Sequence, residues 1–122
     1  VTKMLINNSK LLNAFKLSSK LTVYIPATTS MDEVIDNTKY VNECENMLSK
    51  CFGGATSTPV LGYWLSPANG LVKENTMIVF AYCSEKGLQQ NIDKVVEYCE
   101  QLKHDLSQDA IALERNGEMY FI

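Results

Sequence analysis

Histidine and tryptophan occur once each in 122 residues, and proline three times. The single histidine, His104, removes most zinc-binding arrangements, because the four cysteines (Cys44, Cys51, Cys83, Cys99) contain no C-x-x-C spacing to supply the remaining ligands. No serine or cysteine is placed to form a nucleophilic triad with His104, which lies off the apolar stripe of its segment between Lys103 and Asp105 and reads as a solvated surface residue. A long apolar run is also missing: none approaches the roughly 20 residues that cross a bilayer. Near the N-terminus, Asn7, Asn8, Ser9 and Lys10 interrupt what would be a signal-peptide core, so a cytoplasmic protein with no membrane partner is expected. Positive charge is in deficit, with 11 Lys and Arg against 14 Asp and Glu, a net charge of −3. That disfavours a nucleic-acid partner held through its phosphates. The glycine pair Gly53-Gly54 does not open a phosphate loop: the Gly-Lys-Thr/Ser ending is absent, and the segment follows a helix C-terminus, whose dipole repels anions. No cofactor is expected.

What is present is a sizeable apolar fraction, 46%, enough for a core in one compact domain. The longest β-favouring run is 76–83 (TMIVFAYC). Both of its alternating sets, Met77/Val79/Ala81/Cys83 and Ile78/Phe80/Tyr82, are apolar, which predicts the central strand of a small sheet, with helices over one face and the cover of the other face left open. Residues 20–26 alternate as a second strand closed by Pro26. Tyr40, Val41, Cys44, Met47, Leu48, Cys51 and Phe52 recur at helical spacing and predict a helix over about 37–52, capped by Asp36 or Asn37 and stopped by Gly53. A strand over 59–65 and the turn residues of 66–70, with Asn69-Gly70 suited to positive φ, predict a hairpin into 76–83. Leu88, Ile92, Val95, Val96, Cys99, Leu102 and Leu106 share one face of a second helix over about 85–107, with Ser84 as its cap. Strands at 110–114 and 118–122 flank the tight turn 115–117. Cys44, Cys51 and Cys99 fall on apolar helix faces and read as buried free thiols rather than disulfides.

The order β-α-β-β-α-β predicts an α+β, ferredoxin-like antiparallel sheet over 20–122 with both helices on one face and an extra C-terminal hairpin strand. Residues 1–19 read as an appended arm or short helix. If Val23 and Ile25 face the helices, Tyr24, Phe80 and Tyr82 lie on the open sheet face. Val23-Tyr24-Ile25 with Val79-Phe80-Ala81-Tyr82 resembles the two aromatic motifs of RNA-recognition domains, though Glu74-Asn75-Thr76 replaces their basic and glycine residues. Tyr63 and Trp64, in the edge strand, are of the type that anchors interfaces. Asp32, Glu33, Asp36, Glu43 and Glu45 gather around the start of the first helix, where they suit its dipole.

Residues 20–27, 52–58 (FGGATST) with Gly62-Tyr63-Trp64, and 116–122 (NGEMYFI) resemble small single-domain proteins of plasmids and phages of Gram-positive bacteria. The resemblance implies a protein of a mobile genetic element, such as an inhibitor of host defence of the anti-CRISPR kind. With no catalytic motif legible, the expectation is a non-enzymatic interaction module, a homodimer that binds and blocks a host protein. Its interface residues would be Tyr24, Phe80, Tyr82, Tyr63 and Trp64. A ligand- or RNA-binding domain using the same aromatic face is the alternative.

Overall fold

Strand β1, Ser19–Pro26, alternates Leu21, Val23 and Ile25 against Lys20, Thr22 and Tyr24, and the first set is wholly withdrawn from solvent. The computed structural model describes residues 9–29 and 33–122, and around β1 it builds a five-stranded antiparallel sheet in the order β2-β3-β1-β4-β5. The elements are α1 (Ser9–Leu12), β1, α2 (Thr38–Phe52), β2 (Thr56–Ser66), β3 (Gly70–Cys83), α3 (Glu85–Asp105), β4 (Ala112–Arg115) and β5 (Glu118–Phe121). Without β5, the strand order is that of the ferredoxin-like fold, and β5 adds the extra hairpin strand beyond β4.

Two features differ from expectation. The middle strand is β1, not β3. Strand β3 is covered on one side only: Val79, Ala81 and Cys83 are buried, Ile78 and Phe80 are half-buried, and Tyr82 is 51% exposed. An all-apolar strand therefore keeps one apolar face open. The second difference is length. β2 and β3 pair continuously from Thr56↔Phe80 to Ser66↔Gly70, whereas β1 reaches only as far as Pro26↔Thr76. The outer half of this hairpin projects past the rest of the sheet and carries exposed Leu61, Tyr63, Trp64, Leu65 and Leu71.

The core lies between the sheet and helices α2 and α3. It joins Leu21, Val23, Ile25, Val79 and Leu113 to Val41, Cys44 and Leu48 of α2 and Leu88, Val95, Cys99 and Leu102 of α3. Burying each such Leu, Ile or Val contributes about 1.5–3 kcal/mol relative to exposure. The helices are also tied by Tyr98, whose hydroxyl donates to the Tyr40 carbonyl at 2.7 Å.

The helix ends follow the sequence closely. Gly53 closes α2 in the left-handed conformation, φ 94°, and Ser84 Oγ accepts from Gly87 N–H to cap α3. At the start of α2 the two capping candidates divide the work. Asn37 occupies the cap position, but its amide donates to the Ile25 and Pro26 carbonyls; the Asp36 carboxylate accepts from Thr38 N–H at 3.0 Å. Asn116 (φ 49°) and Gly117 (φ 84°) make the two-residue turn between β4 and β5.

Candidate functional site

The alternation of β1 and β3 places Lys20, Thr22 and Tyr24 on the open face beside Tyr82, Phe80 and Ile78, their register partners. The same alternation carries back along β3 through Thr76 and Glu74 to Val72, whose partner on β2 is Trp64. Tyr24, Phe80, Tyr82 and Trp64 thus share the open face, while Tyr63, next to Trp64, points to the opposite side. The five residues named from sequence do not form one site. Phe80 and Tyr82 meet edge to face, with ring centroids 6.1 Å apart, and Trp64 lies far along the hairpin.

Where the hairpin leaves the sheet, a cleft of about 570 Å³ opens between its outer half and Thr28, Thr29, Val34, Gln108 and Asp109. Trp64 and Val72 supply an apolar wall; Thr28, Thr29, Glu74, Gln108 and Asp109 supply polar groups. Glu74 and Gln108 also line an adjoining cleft of about 180 Å³ that reaches Tyr24. The combination of an apolar wall with a few convergent polar groups is what small-molecule sites are made of. Another cleft, of about 450 Å³ around Pro59, Leu61 and Met77, has no titratable lining residue.

The polar groups are held in place. Thr28 Oγ1 donates to Glu74 Oε1, and Gln108 Nε2 donates to the Thr28 carbonyl, so one residue is pinned between the strand and the loop after α3. The segment after β1 is steadied from within by Thr29 N–H to the Glu33 carbonyl and Ile35 N–H to the Ala27 carbonyl, both 2.9 Å. Thr29 Oγ1 is buried and, among the described residues, has no hydrogen-bond partner. Such an orphan costs about 1–3 kcal/mol. In the smaller cleft the Tyr24 hydroxyl donates to Glu114 Oε1 at 2.9 Å. Partial burial, followed by this hydrogen bond and the carboxylate charge, raises the Tyr24 phenol above its ordinary value and keeps it a donor.

Elsewhere the expected side chains have ordinary roles. His104 is 85% exposed beside Asp105. Of the acidic group, Asp32 lies outside the described residues. Asp36 accepts from Thr38, Glu43 pairs loosely with Lys39 at 4.0 Å, and Glu45 accepts from Ser57 Oγ. Among the described residues no group of His, Cys, Asp or Glu is arranged to hold a metal ion, all four cysteines are free thiols, and no helix is long and apolar enough to cross a membrane.

Sequence reasoning missed Glu74, Gln108, Asp109 and the Thr28-Thr29 pair. The available signal was the polar interruption Lys73-Glu74-Asn75-Thr76 inside an otherwise apolar β segment. Those residues read as a connection because β3 was expected to begin at 76; in a strand starting at Gly70, Glu74 falls on the same face as Phe80.

No family model matches the sequence, and no curated protein matches it. Solved structures do share its fold. A phage SAM lyase in complex with S-methyl-5'-thioadenosine superposes with a TM-score of 0.64 at 15% identity, over 88% of this chain and 93% of the lyase. A phage SAM lyase in the apo state gives 0.64 at 16% identity, over 87% and 89%. This finding corrects the expectation of a non-enzymatic inhibitor. That expectation rested on the resemblance to proteins of mobile elements together with the missing catalytic motif, yet the fold is one that a lyase uses, so the missing motif does not separate a binder from an enzyme.

Proposed function

We propose that the chain is an enzyme acting on an S-adenosyl sulfonium, cleaving it to release S-methyl-5'-thioadenosine at the cleft between Trp64 and Glu74. The observation that carries the reading is the pairing of an indole wall with a fixed carboxylate in one cleft, on a fold shared with the phage lyase over most of both chains. Cleavage breaks the C–S bond to the aminocarboxypropyl group with the bonding pair leaving on sulfur, while an oxygen of the substrate's own carboxylate forms the new C–O bond at that carbon and closes a lactone. The departing thioether is therefore neutral and needs no protonation. The protein is asked mainly to bind, orient and exclude water. Trp64 suits the face of an adenine, and Glu74 offers a counter-charge to the cationic end. With its amide nitrogen taken by the Thr28 carbonyl, Gln108 keeps its side-chain carbonyl for a hydroxyl or amino group of the ligand.

Charge dictates how Glu74 contributes. The positive charge on sulfur fades as the bond breaks, so a carboxylate facing it stabilises the bound substrate at least as well as the transition state. Glu74→Gln is therefore expected to raise KM about tenfold with kcat little changed, and Trp64→Ala to raise KM similarly. The experiment is incubation of the purified protein with S-adenosylmethionine, with chromatographic detection of S-methyl-5'-thioadenosine. Time-dependent product that requires the protein, with the KM effects above, supports the reading. Absence of product from a folded protein, or turnover indifferent to both substitutions, sinks it.

A further inference from the structure

The aromatic pair Phe80 and Tyr82 lies toward the other end of the open face from Trp64 and Glu74. It borders a separate cleft of about 430 Å³, lined by Phe52, Gly53, Gly54 and Thr56 on one side and Leu17 on the other, with Phe80-Ala81-Tyr82 as its floor. The glycine wall is bare backbone: a Cβ built on Gly53 or Gly54 would meet nothing within 4 Å. Leu17 and Tyr82 remain partly exposed here.

The charge beside this cleft is the informative part. Lys20 Nζ sits 4.4 Å from the Phe80 ring centroid and 5.5 Å from that of Tyr82. It is held by the ring faces rather than by a carboxylate. Among the described residues it has no ion-pair partner. The acid that shares its face, Glu114, accepts instead from the Tyr24 hydroxyl. On the strand edge, Arg115 Nη2 donates to Glu85 Oε1 at 2.7 Å, so those two charges are matched to each other. The result is a cation positioned over aromatic faces, beside a cleft of mixed polar and apolar lining, with its ammonium protons free for an acceptor.

From this geometry we infer a second ligand site, distinct from the cleft at Glu74, that takes a small anion with an apolar or aromatic body. The body lies against Phe80, Tyr82 and the glycine wall, and the carboxylate or related anionic group meets the Lys20 ammonium. This assignment does not rest on the sulfonium reading; it stands on the cleft, the ring pair and the unmatched lysine.

The test uses the whole chain and two probes, 3-phenylpropionate and its neutral amide, titrated while backbone amide NMR signals are followed. The acid is expected to shift signals of residues 52–56 and 80–82 saturably, and more strongly than the amide. Lys20→Gln, a change at a half-buried position on the open sheet face, should weaken the acid about fivefold and abolish its advantage over the amide while thermal unfolding stays cooperative. Gly54→Leu, at a glycine with ordinary φ and open space beside it, adds a side chain on the cleft wall and should weaken both probes. Equal affinity for acid and amide, an unchanged Lys20→Gln variant, or no saturable shift at millimolar probe overturns the inference.

Discussion

Cys44 and Cys99 join α2 to α3 with no solvent exposure, close enough that the charge of one thiolate would raise the other. Burial dominates both shifts: the Cys44 thiol is pushed far above its ordinary value of 9.0, and that of Cys99 up to about 12. Raised values fix the sign of the pH dependence. Below 9.0 the thiols are protonated in both folded and unfolded chains, and their contribution to stability is fully present. Above it the unfolded chain loses protons that the folded chain keeps, and stability falls by about 1.4 kcal/mol per pH unit for each thiol. Urea midpoints are expected to be level below pH 9 and to drop above it, with a shallower drop in Cys99→Val. A midpoint indifferent to alkaline pH would contradict the burial of both groups. The reading of these cysteines as buried free thiols came from their helical spacing alone, and the packing agrees. The roles of Asp36 and Asn37 were not separable in this way. Which side chain caps α2 depends on the carbonyls of Ile25 and Pro26, which claim the Asn37 amide and belong to a distant strand.

At the scale of elements, periodicity was a sound guide wherever one face is buried and the other is wet. Both long helices, the alternation of β1 and the two-residue turn at Asn116-Gly117 follow from residue type and spacing. The pattern failed where partners along a strand change. β3 is apolar where it lies between β1 and β2 and polar where only β2 accompanies it, so its first six residues resemble a loop in the sequence. The Gly53-Gly54 pair offers a test of how much of a helix stop is backbone geometry. Gly53 has φ 94° with open space beside it, so Gly53→Ala should cost about 1 kcal/mol through backbone strain alone. Gly54, with ordinary φ and equally open space, should accept Ala with little change. Thermal unfolding of the two variants side by side measures this; equal effects would place the cost elsewhere.

At the scale of the whole molecule, the ferredoxin-like architecture was legible because it depends on element order, and the site was not, because it depends on where elements end. Glu74, Gln108 and Thr28 are 34 residues apart or more in sequence, and meet only because the hairpin overshoots β1 and residues 27–29 and 106–111 fill the corner it leaves. Trp64, singled out from sequence as an interface anchor, lines this corner with them, whereas Tyr63 faces away. The absence of a catalytic motif does not separate a binder from an enzyme, because the fold is also that of a phage SAM lyase. The most direct measurement is a titration of the chain with S-methyl-5'-thioadenosine, following the Trp64 indole N–H and the backbone amides by NMR. A saturable shift of the indole signal together with the amides of Glu74, Thr29 and Gln108 is the predicted result. A silent indole, or shifts gathered at Gly53, Gly54 and Tyr82 instead, would contradict the assignment of this cleft.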